Sequence, residues 1–127
     1  MKQYNLKTDQ KLLLGDTLTP VSIYLKLRDK FPNSFLLESS DYHGNEDIFS
    51  YICCKPIAGI IVDGNTISSF YPDGIKTDIK IEESEGVKIE IEKFTKSFSV
   101  QHNSLPFITS GVFGYTAFDA VRHFEDI

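Results

Sequence analysis

Apolar and polar positions follow two different rhythms along this chain, and the changes of rhythm divide it into elements. In TPVSIYLKLRDKFP, Val21, Tyr24, Leu25, Leu27 and Phe31 fall on one broad helical face. Thr19 suits the N-cap, Pro20 the first helical position, and Pro32 stops the pattern, so an amphipathic helix is predicted. The apolar run Phe35-Leu36-Leu37 in SFLLES, bounded by turn formers, predicts a short buried strand that ends at Glu38. A polar loop, SDYHGNED, leads into IFSYICC. There Ile48, Tyr51 and Cys53 do not alternate strictly, but the aromatic and β-branched content favours a second strand.

The next stretch carries the strongest hairpin signal. IAGIIV and TISSFY flank Asp-Gly-Asn, which supplies the positive φ angles of a tight turn, and a second turn, YPDG, follows at once. An antiparallel sheet of at least four strands is expected. TDIKIEES alternates like an edge strand with its charges in water. Beyond Gly86 two periods compete: Ile89 and Ile91 alternate, whereas Val87, Ile91, Phe94 and Phe98 are spaced four, three and four apart, and the helical reading is preferred. SVQHNSLPF reads as a loop and ITSGVFGY as a strand closely approached by another backbone. Thr116 and Asp119 resemble a capping box, with Ala117, Ala120, Val121 and Phe124 on one face of a closing helix. The sequence stops at Ile127, which fits either a C-terminal helix or a cut. The predicted fold class is α+β, an antiparallel sheet with flanking helices.

Composition narrows the function classes. A chain of 127 residues suits a single domain, 1–127, which buries roughly two-thirds of its unfolded surface. Hydrophobic residues make up 41% and charged residues 24%, which argues against disorder. Eighteen acidic against thirteen basic side chains, with no Lys/Arg cluster, argue against a nucleic-acid partner. No apolar run approaches the ~20 residues that span a bilayer, and MKQYNLKTDQ lacks the apolar core of a signal peptide, so a cytoplasmic location is expected. Cys53 and Cys54 are adjacent and read as buried reduced thiols.

Candidate chemistry is sparse. His43, His102 and His123 lie far apart, with no second ligand at metal-site spacing, and no metal site is expected. No nucleophile motif is present, the glycines of SGVFGY are not followed by G-K-[ST], and the acidic stretch 78–92 alternates with isoleucines as a solvated face does. No catalytic residue emerges. What remains is NSFLLESSDYHG. At the polar end of its strand, Glu38 can face an ammonium and Ser39 can donate to a carboxylate, a pair suited to the head group of a zwitterion. Equally, Ser39, Ser40 and Asp41 can form a turn closed on their own backbone.

Taken together, TPVSIYLKLR, FLLESSD, FSYICCKPIAGI and GVFGYTAFDAVRHFED resemble, in order and spacing, the N-terminal portion of anthranilate synthase component I, over about Leu14 to Asp126. The last resembles the family's Gly-x-x-Gly-Tyr run followed by aspartate, Ala-Val-Arg and an aromatic-Glu pair. It departs from the family at Thr116-Ala117, where a second glycine or an aromatic is more usual, and at His123, where tyrosine is common. The resemblance implies an enzyme that converts chorismate and ammonia to anthranilate and pyruvate in tryptophan biosynthesis. It also implies Mg²⁺ as the cofactor of the full-length enzyme and a glutamine amidotransferase, component II, as the partner that delivers ammonia. It implies that chorismate and Mg²⁺ are handled by a larger C-terminal portion, so that these residues are an inactive fragment that binds no metal. In the family the Leu-Leu-Glu-Ser segment contributes to the L-tryptophan feedback site, which maps onto Leu37, Glu38 and Ser39. Ser50, on the expected neighbouring strand, is a further candidate.

Two rivals stand beside this reading. Para-aminobenzoate (aminodeoxychorismate) synthase component I shares the chemistry but places the amino group para, and Glu38 before Ser39 leans toward the anthranilate enzyme. A stand-alone amino-acid-binding regulatory module also accounts for the lack of catalytic residues.

Overall fold

The computed structural model describes residues 2–38, 49–81, 85–101, 105 and 107–124. It has two compact units, one formed by Asp9–Pro56 and the other by Met1–Thr8 with Ile57–Ile127. Helices and mostly antiparallel strands make the class α+β, as expected.

In the unit Asp9–Pro56, helix α1 (Pro20–Leu27) starts where the sequence places it. The Thr19 hydroxyl accepts from the Ser22 amide at 3.1 Å, and the Ser22 hydroxyl accepts from the Thr19 amide at 3.1 Å, a reciprocal capping box with serine in the third helical position. The helix is shorter than predicted. The Lys30 and Phe31 amides both donate to the Leu27 carbonyl, which tightens the end, and Asn33 then adopts a left-handed φ of 62°. Its inner side also differs: Ile23, Tyr24 and Leu27 are half-buried, whereas Val21 and Leu25 stay 45% and 47% exposed. The Tyr24 hydroxyl donates to the Ser34 carbonyl at 3.3 Å, and the Lys55 ammonium lies over the Phe31 ring at 4.8 Å. Strands β2 (Phe35–Glu38) and β3 (Ser50–Cys53) form an antiparallel pair, and α1 packs on both. β2 is half-buried rather than buried, and Leu37 and Glu38 are exposed. The predicted loop SDYHGNED lies outside the described residues.

In the other unit, β4 (Gly59–Asp63), β5 (Thr66–Phe70) and β6 (Lys76–Lys80) form an antiparallel meander. Gly64 alone supplies the left-handed residue (φ 55°) of the first turn. Gly74 (φ 82°) closes the second, its amide donating to the Tyr71 carbonyl at 2.9 Å. Gly59 opposes Phe70, whose ring covers it so closely that an added Cβ would sit 2.3 Å from Cε1. β6 is exposed along its whole length and pairs only with β5, the edge strand that its charges predict. Among the described residues the antiparallel strands thus fall into two sheets, of two and three strands, not one of at least four.

Helix α2 (Glu85–Lys96) settles the competing periods for the helix, which runs into Ser97 while Phe98 begins the next strand. Val87 and Phe94 are buried with Ile67 of β5, and Ile89 faces out. On the solvent side Lys96 pairs with Glu92 at 2.6 Å, an exposed pair that contributes little to stability. Strand β1 (Tyr4–Leu6) pairs in parallel with β7 (Phe98–Val100), a feature the sequence pattern did not predict, so part of the expected loop SVQHNSLPF is strand. ITSGVFGY forms no ladder. A Cβ at Gly111 would meet nothing nearer than ordinary contact and one at Gly114 nothing at all, so no backbone crowds either glycine. The closing element is a 3₁₀ helix, Phe118–His123, with Ala117 as an N-cap that makes no side-chain bond, instead of an α-helix capped by Thr116.

Four rings join these elements. Tyr4, Tyr71 and Phe98 stack with centroids 5.5 to 6.2 Å apart, and Phe94 meets Phe98 edge-on at 5.2 Å. Asp73 fastens the rim, accepting from the Lys2 ammonium at 2.6 Å, the Tyr4 hydroxyl at 2.9 Å and the Ile75 amide at 3.1 Å. The Lys2 bond leads in holding the Asp73 carboxyl down at about 2. A carboxyl whose pKa is lower folded than unfolded adds stability that is complete above the unfolded value of 3.8 and is lost as pH falls through about 2. Asp73→Asn should therefore be less stable than the parent at neutral pH, and the gap should close on acidification through that window. Urea melts of both proteins across the acid range check this.

Candidate functional site

β2 and β3 bring the sequence-predicted site residues to one end of a two-stranded sheet. Glu38 lies directly opposite Ser50, and Leu37 opposite Tyr51. Residues opposite one another share a face, with Cα atoms about 4.5–5.5 Å apart, whereas successive residues along a strand point to opposite faces. Glu38 and Ser50 therefore stand together on the face that carries Leu36 and Ile52. Leu37 belongs to the other face, with Phe35, Tyr51 and Cys53. Both Glu38 and Ser50 are exposed, and Leu37 is 37% exposed. Ser39 lies outside the described residues.

This geometry sets the chemistry. A carboxylate offers acceptors only, and a hydroxyl beside it both donates and accepts, so the pair suits an ammonium-bearing group with a second polar function. Ile52 and Leu36, half-buried on the same face, border the pair with apolar surface. The family resemblance grouped Leu37 with Glu38; the pleat puts the two on opposite faces.

Two thiols lie at the end of β3. Cys53 and Cys54 are free, but neither is buried as expected: Cys53 is half-buried and Cys54 exposed, because β3 ends between them. Burial, followed by the neighbouring Cys54, raises the Cys53 thiol and so disfavours its thiolate. Among the described residues no group of three or more His, Cys, Asp and Glu side chains could hold a metal ion. Among them, too, no helix is long and apolar enough to cross a membrane. Among the described residues the Asp73 carboxyl is held well below its ordinary range, chiefly by its Lys2 bond, and sequence reasoning missed it. The only signal was an aspartate in the YPDG turn, and its partners Lys2 and Tyr4 come from the far end of the chain.

The fold is α+β, and the end of its two-stranded β2–β3 sheet presents Glu38 and Ser50 side by side. Its relationships by sequence are consistent. The chain is 35% identical over 118 residues to anthranilate synthase component 1 of Thermus thermophilus, covering 91% of this chain and 23% of that protein. It is 35% identical over 115 residues to the Saccharomyces cerevisiae protein of that name, covering 85% and 20%. Against the Aquifex aeolicus protein the figure is 30% over 127 residues, covering 99% and 25%. The chain is thus related by sequence to a segment of anthranilate synthase component 1, and it spans about a quarter of the length of the curated relatives it matches. No family model matches the chain. No solved structure matches it either.

The strand register is open to a direct test. With Cys53 and Cys54 replaced by serine, Glu38→Cys with Ser50→Cys should close a disulfide under mild oxidation, because directly opposed Cβ atoms lie within bridging reach. Leu37→Cys with Ser50→Cys should stay reduced, since the pleat points them to opposite faces. Free-thiol titration distinguishes the two.

Proposed function

We propose that this chain is the N-terminal region of anthranilate synthase component I, and that the end of the β2–β3 pair contributes to its L-tryptophan feedback site. The whole enzyme converts chorismate and ammonia to anthranilate and pyruvate, with ammonia supplied from glutamine by an amidotransferase subunit. The observation that carries the reading is the similarity to proteins of that name across about nine-tenths of this chain. The shared name also favours the anthranilate product over aminodeoxychorismate. Mg²⁺ is the cofactor of the proposed reaction. Because the described residues group no metal ligands, the proposal assigns none of its ligands to this segment.

Within this reading Glu38 meets the ammonium of L-tryptophan, and Ser39 and Ser50 bind polar atoms of its head group. The register of Glu38 on Ser50 supports that assignment. Leu37, on the other face of the strand, contributes to the same site away from the Glu38–Ser50 pair. The inhibitor acts by binding one conformation of the enzyme better than another, so residues of this face change inhibition without taking part in the chemistry.

The test uses the full-length protein that carries this segment, supplied with chorismate, Mg²⁺ and ammonium and followed by anthranilate fluorescence. Anthranilate should form, and L-tryptophan should suppress it. Ser39→Phe should keep most of the activity and weaken inhibition by about tenfold or more, the equivalent of roughly 1.4 kcal/mol or more of lost inhibitor binding. Formation of aminodeoxychorismate would overturn the assignment of the enzyme. A Ser39→Phe protein that lost activity yet kept its tryptophan sensitivity would overturn the assignment of the site.

A further inference from the structure

Cys53 and Cys54 are the two cysteines of this chain, and both thiols are free. The function proposed above uses neither. Their surroundings differ: Cys53 is the last residue of β3, opposite Phe35 and half-buried, whereas Cys54 lies beyond the strand and is exposed. Burial, and then the neighbouring Cys54, raises the Cys53 thiol, so little of it is the reactive thiolate at neutral pH. The pair therefore has the two parts of a reversible thiol couple. One sulfur is open to an oxidant, and a shielded one stands next to it to resolve the product.

The backbone lets the two sulfurs meet. In a continuing strand neighbouring side chains point to opposite faces. Here the register ends at Cys53, so no ladder holds Cys54, and the chain turns at once, with Lys55 at a left-handed φ of 52°. Neighbouring Cα atoms are about 3.8 Å apart, short of the roughly 4.4 Å at which ordinary disulfides begin. A bond between neighbours is thus strained. Strained, exposed disulfides are the easily reduced ones, suited to a reversible role and not to a structural one.

We propose that Cys53 and Cys54 form a modification site for hydrogen peroxide, whose product is a reversible disulfide between the two neighbours. The Cys54 thiolate takes one oxygen as the peroxide O–O bond breaks, giving a sulfenic acid and, with a proton from solvent, one water. The Cys53 sulfur then displaces that hydroxyl. The S–S bond forms, and the Cys53 thiol proton leaves with the hydroxyl as a second water. Two thiols and one hydrogen peroxide become one disulfide and two waters, and a small thiol restores the pair by exchange. The inference does not depend on the enzyme assigned above.

The full-length protein that carries this segment is treated with hydrogen peroxide in slight excess, alkylated and digested. The peptide holding both cysteines is then weighed, with and without prior reduction by a small thiol. It should be two hydrogen atoms lighter and closed to alkylation, and both sulfurs should become open again after reduction. Cys53→Ser should stop at a sulfenic acid on Cys54 that dimedone traps. Cys54→Ser should oxidise at least about threefold more slowly than Cys53→Ser, because the remaining thiol is the shielded one. The unmodified protein carries the decisive readout even where a variant fails to fold. Both sulfurs still open to alkylation after peroxide would overturn the inference. So would a sulfinic acid that reduction does not reverse, a bond from either cysteine to a third cysteine or a second copy, or equal rates in the two variants.

Discussion

The unit built on α2 depends on the stacking of Tyr4, Tyr71, Phe94 and Phe98. Each ring comes from a different place: the N-terminal strand β1, the turn after β5, helix α2, and strand β7. β1 and β7 are only three residues long and pair in parallel across more than ninety residues of sequence. Two such strands have too few ladder bonds to offset the loss of chain entropy that pairing requires. The rings supply what the ladder lacks, and Asp73 closes the rim by tying Lys2 and Tyr4 to the β5–β6 turn. The buried hydrophobic residues among those described, Ile67, Val87 and Phe94, continue the same contact between α2 and the sheet.

The unit Asp9–Pro56 works by a different device. Its helix is held at the start by the Thr19–Ser22 box and packs on a sheet that has two strands among the described residues. That economy leaves the end of the β2–β3 pair exposed, and the register, fixed residue by residue from Phe35 on Cys53 to Glu38 on Ser50, decides which side chains meet there. A shift of one residue would move Glu38 away from Ser50 and to the other face. The pairing of Glu38 with Ser50 on one face thus follows from the pleat.

What the sequence made legible, and what it hid, follows the range of the forces involved. Local signals were read correctly: the Thr19 cap with Pro20, the Gly64 and Gly74 turns, the charged edge of β6, and the helical spacing of Val87, Ile91 and Phe94. Features set by distant contacts were not. β1 carries no periodicity that could announce β7 as its partner. ITSGVFGY has strand-like residues but joins no ladder among the described residues. The closing helix has α-helical spacing yet is 3₁₀, with Ala117 rather than Thr116 at its N-cap. At the candidate site, Glu38 and Ser50 were both named from sequence, and the structure adds that they are partners across the strands. It also moves Leu37 to the opposite face, which a linear motif cannot reveal.

The central claim is that the end of the β2–β3 pair is where L-tryptophan is sensed. Hydrogen exchange of the full-length protein with and without L-tryptophan tests it most directly. The account predicts slowed exchange in Phe35–Glu38 and Ser50–Cys53, with the β6 edge Lys76–Lys80 unchanged. Protection by L-tryptophan elsewhere in the protein, with both of these strands exchanging as before, would contradict it.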